Sequence, residues 1–282
     1  MKRSRKRKMG VTLGIIGLII SILAIYFNLP NSRLKSEFKD YLQKSEENTN
    51  ANKKPAIYTV NDLPECIQRF YTYTGLFNKT NSTHVQMEFK DVDFVSDQRK
   101  LKIDYSEHIF GDVPSRYAFI DSSLFGIPFQ GLDSFIDGKG GMKGVIAKNI
   151  TIFNQRGAEM DQAVLVTWLS EIMFMPSQLL NGLVTMKEID ENSVVISITY
   201  NDITVSGLFT FLEHGELIQF STDDRAMYNN NGTIKKRKWT VLFEDYQKKE
   251  DLILPNRLKA KWHLEEEELV YFDGEDVEYK FY

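Results

Sequence analysis

Polar residues that could bind or act on a substrate cluster at the start of the most apolar helical segment, residues 158–174. Glu159 and Asp161 are two residues apart, so on a helix their side chains point about 200° away from each other. They are therefore poorly placed to act together as a general acid and base. We expect these first-turn carboxylates to interact favourably with the helix dipole, and Asp161 or Gln162 to cap the helix or bind a neighbouring strand backbone. The functional alternative is a polar floor in a ligand cavity, where Asp161 and Gln162 orient a head group.

Other residue types offer little for catalysis. The four histidines are scattered, and they form neither an HExxH pattern nor a pair at metal-ligand spacing. There is no GxSxG motif, and the single cysteine, Cys66, excludes an internal disulfide and a multi-cysteine metal site. The glycine-rich run at 137–144 lacks GxGxxG and GK[ST] spacing and precedes a strand pattern, so it predicts a hairpin turn instead of a phosphate loop. We predict no catalytic residue, no metal and no cofactor.

Aromatic residues make up 12% of the chain and supply more large apolar surface than a thin sheet needs. One explanation is a dry packed core, and the other is an apolar ligand cavity. For a cavity, the predicted ligand-binding residues are five aromatic residues together with the two polar ones above: Phe125, Phe129, Trp168, Trp239, Trp262, Asp161 and Gln162. The uncharged segment 124–129 contains Gly and Pro, which interrupt a strand, so it could form a loop that contacts lipid or grips a ligand.

The elements that must position these residues are mainly β-strands. Beyond a short helix predicted near 62–74, apolar and polar residues alternate with period two in many short runs separated by turn residues. Strands at hairpin spacing predict an antiparallel meander, so the fold class is mainly β with α (α+β). The segment 158–174 lacks a wide polar face and is expected to be buried on more than one side. A curved antiparallel sheet, or half-open β-barrel, enclosing this one long apolar helix would bury it in that way.

A long uncharged segment, residues 9–29, follows a basic tip at residues 1–8. At about 1.5 Å per residue it can cross a hydrocarbon core of roughly 30 Å. The basic tip predicts a cytoplasmic N-terminus and an extracytoplasmic C-terminal domain in the cell membrane. A cleaved signal peptide is the alternative, but the apolar run is longer than a usual signal core and no cleavage site follows it. Apart from the six basic residues of the tip, 29 basic residues remain against 39 acidic ones, a net charge of about −10 that argues against nucleic-acid binding.

Residues 30–55 are expected to form a juxtamembrane helix and linker before a domain at 56–282. Within residues 33–47 a narrow apolar stripe consists of Leu34, Phe38, Tyr41 and Leu42. On a helix this stripe could pair with a second copy or lie on the bilayer, whereas a solvated helical stalk is the simpler interpretation.

Several strings in residues 57–282 resemble a family of bacterial proteins of unknown function that are often membrane-anchored. The strings, written with x for any residue, are LPxxxQRFxxxTG from Leu63, DSFIDG from Asp133, EMDQ from Glu159, VSGxFTF from Val205 and AxWH from Ala260. No catalytic residue or substrate is established for that family, so the resemblance implies architecture more than activity. The body is similar to the open β-barrels of lipoprotein-carrier and periplasmic lipid-binding proteins, in which a curved sheet and a helix enclose an apolar cavity.

Taken together, these features predict a membrane-anchored extracytoplasmic protein that binds a hydrophobic or lipid-like ligand at the cell envelope. One alternative is a protein-interaction or sensing module with an envelope protein partner. A second alternative is an envelope hydrolase, for which convergent polar side chains are lacking in the sequence.

Overall fold

The structure is a computed structural model and describes residues 2–96, 99–124, 126–228 and 234–282. The α-helices are α1 Lys2–Asn28, α2 Arg33–Ala51, α3 Glu65–Thr74, α4 Ala158–Ser170 and α5 Pro176–Leu180. Short 3-10 helices are Val60–Asp62, Leu76–Lys79 and Ile172–Phe174. The first eight strands are β1 His84–Ser96, β2 Arg99–Phe110, β3 Ser115–Leu124, β4 Ile127–Ile136, β5 Lys139–Ile146, β6 Ile150–Gln155, β7 Thr185–Asp190 and β8 Ser193–Tyr200. The other strands are β9 Ile203–Phe211, β10 Leu217–Thr222, β11 Ala226–Tyr228, β12 Ile234–Lys236, β13 Trp239–Lys249, β14 Leu252–His263, β15 Glu268–Glu275 and β16 Glu278–Phe281.

One large antiparallel sheet contains 14 of the strands. Its order is β6-β5-β4-β3-β2-β1-β15-β14-β13-β10-β9-β8-β7, and β16 also pairs with β1. Most neighbours are joined by short turns, as the hairpin spacing predicts. Within the described residues the sheet does not close into a barrel, since β6 and β7 are its edges. The prediction of a mainly β chain with helices and a large antiparallel sheet is confirmed.

Helix α4 lies in the largest hydrophobic core, on one face of the sheet, which we call the α4 face. Its residues are buried almost all round, and it contacts strands β4, β5, β8 and β9. This burial follows from a sequence that has no wide polar face. The predicted helix 158–174 is divided into α4 and the 3-10 helix Ile172–Phe174, and Pro176 then begins α5. Proline is favoured in that position because the first turn of a helix does not need its missing N–H.

Helix α2 packs on the opposite face of the sheet, which we call the α2 face. Leu34 and Phe38 are buried in a second apolar cluster that includes Tyr117 and Phe119 of β3. The hydroxyls of Ser45 and Tyr117 lie 2.7 Å apart, so hydrogen bonding also joins the helix to the sheet. The apolar stripe is therefore covered by this domain itself, and the interpretation as a solvated stalk is wrong.

Helix α1 projects from one end of strands β3–β6. It is long and apolar enough to cross a membrane, and its apolar segment is not buried by the rest of the described chain. The β3–β4 and β5–β6 turns lie beside its last turns, and we call this end of the sheet the α1 end. The β2–β3 and β4–β5 turns lie at the opposite ends of the same strands, which we call the far end. Because β4 has ten residues, about 33 Å separates the two ends.

Candidate functional site

The aromatic residues predicted to bind a ligand lie in the packed interior. Trp168 is fully buried, and its Nε1 donates a hydrogen bond to the carbonyl oxygen of Phe110 at 2.7 Å. Phe129 is a buried member of the same hydrophobic core. Phe125 lies outside the described residues. Neither of the two best-formed pockets among the described residues is lined by Trp168 or Phe129.

Trp239 and Trp262 already surround a cation that belongs to the protein. The guanidinium carbon of Arg225 lies 4.1 Å from the Trp239 ring centroid and 5.6 Å from the Trp262 centroid. Its Nη1 donates a hydrogen bond to Thr167 Oγ1 at 2.5 Å. Arg225 thus links the two tryptophans to α4 through cation–π contacts and a hydrogen bond.

Asp161 connects α4 to the β4–β5 turn at the far end. Its Oδ1 accepts a hydrogen bond from the Gly140 backbone N–H at 2.7 Å, and its Oδ2 lies 3.0 Å from Lys139 Nζ. A Cβ on Gly140 would lie 2.4 Å from the carbonyl oxygen of Met160, so glycine permits this close approach. The geometry matches the backbone-binding explanation for Asp161. A ligand contact by Asp161 or the half-buried Gln162 stays a prediction.

A buried charge cluster, which the sequence analysis missed, also lies at the far end. Arg116 contacts Glu107, Asp133 at 2.8 Å and Glu171 at 3.2 Å, and it donates a hydrogen bond to Tyr105 Oη at 2.7 Å. Burial raises the pKa of Glu107 well above its usual value, against the lowering effect of Arg116. Burial also raises the pKa of Glu171. Because the raised pKa values favour protonation of these carboxyls, the net charge of the cluster is closer to zero than that of one cation with three ionised carboxylates.

Two histidines stack under α2 on the α2 face of the sheet. His84 Nε2 and His108 Nδ1 are 2.8 Å apart, and Phe38 packs edge-on against His108. Burial, with a smaller effect of His108, lowers the pKa of His84 to about 3. Burial, with a smaller effect of Lys280, lowers the pKa of His108 to about 4. Both imidazoles are therefore neutral at neutral pH.

The polar groups at the α1 end, unlike those at the far end, contact the C-terminal end of helix α1. Lys148 Nζ donates hydrogen bonds to the carbonyl oxygens of Leu29 and of Tyr26, the latter at 3.1 Å. Asn149 Nδ2 donates a hydrogen bond to Tyr26 Oη. A cation favours the carbonyl end of a helix, since these last carbonyls have no partner within the helix. The β5–β6 turn therefore holds the C-terminal end of α1.

Two pockets open at the α1 end. The first, which we call the cationic pocket, has a volume of about 310 Å³ and lies between the start of α2 and the β5–β6 hairpin. Its lining residues are Arg33, Leu34, Lys143, Val145, Lys148, Asn149, Thr151 and Asn154. The second, the α1 groove, has a volume of about 290 Å³ and lies between α1 and the β3–β4 turn. It is lined by Ile20, Leu23, Ala24, Phe27, Asn28 and Gly126.

These pockets are the candidate site, and their residues were not among those predicted. One feature of the sequence did indicate this site: Gly126 belongs to the uncharged segment 124–129, which could form a loop that contacts lipid or a ligand. No sequence pattern indicated that the cations of the pocket would lie together, since Arg33 and Lys148 are 115 positions apart and form no motif. Among the described residues, no group of three or more His, Cys, Asp or Glu side chains could hold a metal ion.

Residues 57–274 match the sequence profile of a family described as "Family of unknown function (DUF6544)", and the chain belongs to this family. No curated protein matches the chain.

Solved structures that are similar to the chain include three from bacterial proteins. A LolA superfamily protein from Nitrosomonas europaea has 12% identity and a TM-score of 0.39, over 76% of this chain and 90% of that one. A DUF1329 family protein from Desulfovibrio piger has 9% identity and a TM-score of 0.39, over 78% and 94%. A putative outer membrane lipoprotein-sorting protein domain from Vibrio parahaemolyticus has 8% identity and a TM-score of 0.35, over 73% and 91%.

Proposed function

We propose that this member of the DUF6544 family is a single-pass membrane protein that binds the acyl chain of a lipid in the leaflet next to its β domain. The observation that carries the proposal is the α1 groove, in which apolar side chains of a helix able to span a membrane, Ile20, Leu23 and Phe27, face Gly126 of the β3–β4 turn. The basic residues before α1 favour a cytoplasmic N-terminus, and the proposal accordingly has the β domain on the extracytoplasmic side.

The depth of the groove fits an acyl chain. From Ile20 to Asn28 the helix rises about 12 Å, which lies within one leaflet of a hydrocarbon core of roughly 30 Å. Large apolar side chains are exposed beside the turns that surround the end of α1, namely Leu29, Ile127, Ile150 and Ile152. Exposed apolar groups beside a spanning helix favour contact with the bilayer over contact with water.

The proposed site lies outside the interior of the sheet. The interior contains the predicted ligand residues Trp168 and Phe129, but their surroundings are packed core. The proposed ligand is lipid-like, as the sequence predicts. It lies at the boundary between the sheet and the membrane helix instead of in a cavity of the sheet.

A photoreactive lipid would test the proposal. The full chain is reconstituted in phosphatidylcholine nanodiscs that contain some phosphatidylcholine with a diazirine on one acyl chain, and labelled residues are mapped by mass spectrometry. We expect labelling on the face of α1 that carries Ile20, Leu23 and Phe27, and on Ile127. Leu23→Trp should fill the groove and suppress this labelling, because an indole occupies the space of the chain.

Leu18→Trp is the matched control. Leu18 is as exposed as Ile20, but it lies on the opposite side of α1 and does not line the groove. It should leave the labelling pattern unchanged. Uniform labelling around α1, unaffected by Leu23→Trp, would show only the lipid that surrounds any membrane helix and would contradict the proposal.

A second candidate function is an interaction module of the envelope. It is favoured by strand β7, an open edge of the sheet whose residues are almost all exposed. An exposed edge can pair with a strand of another protein, although the charged residues Lys187 and Glu188 make such pairing less favourable at this edge. In-cell crosslinking from a photoreactive residue at position 187 should return one stoichiometric partner, and products with many proteins or none would count against it.

A further inference from the structure

The cationic pocket holds basic groups whose charges are only partly balanced by acidic ones. Arg33 is exposed and forms no ion pair within the described residues, and the first turn of α2 contains no acidic residue. Lys143 Nζ is paired with Glu37 at 2.8 Å. Lys148 donates to carbonyl oxygens, which carry no net charge, and its charge also acts on the half-buried carboxyl of Asp121. The three cations of the pocket thus stand against Glu37 and Asp121, so a small excess of positive charge remains, in a chain whose remaining body is acidic.

Neutral hydrogen-bonding groups complete the lining. Asn154 and Thr151 of β6 and Asn149 of the β5–β6 turn, which carry amide and hydroxyl groups, line the same space, and the Asn149 amide also donates to Tyr26 Oη. A guanidinium that can bind two oxygens, an ammonium and several neutral donors are the groups that recognise a phosphate. The pocket therefore has the chemistry of a phosphate site.

The turn that supplies Lys148 has an unfavourable backbone. Ala147 and Lys148 have φ values of 52° and 66°, in the left-handed region that favours glycine. Such a residue costs of order 1 kcal/mol, and it persists where the surrounding structure requires it. Here the conformation directs the Lys148 ammonium to the end of α1 and the rim of the pocket.

The position of the pocket relates it to the α1 groove. Lys148 joins the pocket to Tyr26 and Leu29, while the groove extends from Asn28 back to Ile20. The cationic pocket is thus at the level of lipid headgroups when α1 spans the membrane. Lipid tails are as apolar as the groove, so the groove alone gives little preference for one lipid. Polar contacts to a headgroup would supply that preference.

We propose that the cationic pocket binds the phosphate group of an anionic phospholipid whose acyl chain lies in the α1 groove. This inference rests on the proposed function for the position of the chain. A soluble phosphate ester shares the same recognition chemistry, and the experiment below separates the two sources.

Native mass spectrometry of the full chain, released from nanodiscs that contain equal amounts of phosphatidylglycerol and phosphatidylcholine with the same acyl chains, gives the ratio of retained lipids. We expect phosphatidylglycerol to be preferred. Arg33→Gln should reduce the preference about tenfold, the effect of one lost charge-assisted hydrogen bond, and Arg33→Lys should restore part of it. Lys39→Gln is the matched control, since Lys39 is an exposed cation of the same helix that does not line the pocket.

The outcomes separate the two proposals. If lipid is retained without headgroup preference, or if Arg33→Gln and Lys39→Gln behave alike, the phosphate assignment is wrong and the acyl-chain site stands. If no lipid is retained, both proposals fail. In a third arm, lipid-free protein in neutral detergent is titrated with glycerol 3-phosphate and followed by phosphorus NMR. Arg33-dependent binding there as strong as that of phosphatidylglycerol would assign the pocket to a soluble ester and overturn the lipid assignment.

Discussion

The two ends of strands β1–β6 differ in how they accommodate charge. At the far end, Arg116 is buried among carboxylates and Asp161 binds a backbone amide. At the α1 end, Arg33 has no acidic partner within the described chain, and Lys148 contacts only neutral carbonyls among its hydrogen-bond partners. A buried charge must be paired or solvated by the protein because desolvation is costly, as the Arg116 cluster and the carbonyl-bound, buried Lys148 show, whereas the exposed charge of Arg33 can remain available for a ligand. The comparison therefore separates polar groups that stabilise the fold from polar groups that are free to bind.

The largest effect is expected from Arg116→Met. It leaves Glu107, Asp133 and Glu171 without their buried cation, which should lower the free energy of unfolding by about 3–5 kcal/mol. Urea denaturation of the full chain in detergent measures this change. Arg33→Gln at the α1 end is the control and should change stability by less than about 0.5 kcal/mol. Equal changes in the free energy of unfolding for Arg116→Met and Arg33→Gln would contradict this difference between the two ends.

A smaller effect is expected from the pH dependence of His84→Phe. The unfolded imidazole binds a proton near pH 6.5, whereas the folded pKa is about 3, so acidification below pH 6.5 favours the unfolded chain. Between pH 7 and 5 the free energy of unfolding of the native protein should fall by about 2 kcal/mol more than that of the variant. Denaturation curves at both pH values give the difference, and parallel losses would mean that His84 is not held neutral.

The smallest effect on stability is expected from Asp161→Asn. The amide oxygen can still accept from Gly140, but the charge is lost, which should cost about 1 kcal/mol. Lipid retention should be unchanged, because the far end is about 33 Å from the proposed site. Native mass spectrometry and urea denaturation of the same sample test both statements. A loss of lipid without a loss of stability would instead make Asp161 a ligand residue, as the sequence-based alternative proposed.

Local patterns were sufficient to predict much of the fold. The period-two strands and short turns indicated an antiparallel sheet, and the absence of a polar face on α4 indicated its burial. Long-range pairings were not accessible in the same way. The stripe with Leu34 and Phe38 fits a bilayer, a second helix or a sheet equally well, and its partners Tyr117 and Phe119 are about 80 residues later. The candidate site was hidden for the same reason, since Arg33 and Lys148 meet only after α2 packs on the sheet.

The connection between α1 and α2 limits what the domain can reach. Residues 29–32 are the only ones between the two helices, and four residues extend at most about 14 Å. Lys148 binds this short tether to the sheet, and α2 packs on the α2 face of the sheet. For a chain held in a membrane by α1, this short tether keeps the β domain close to the surface of that membrane. A molecule that the domain binds must then come to the membrane surface to reach it.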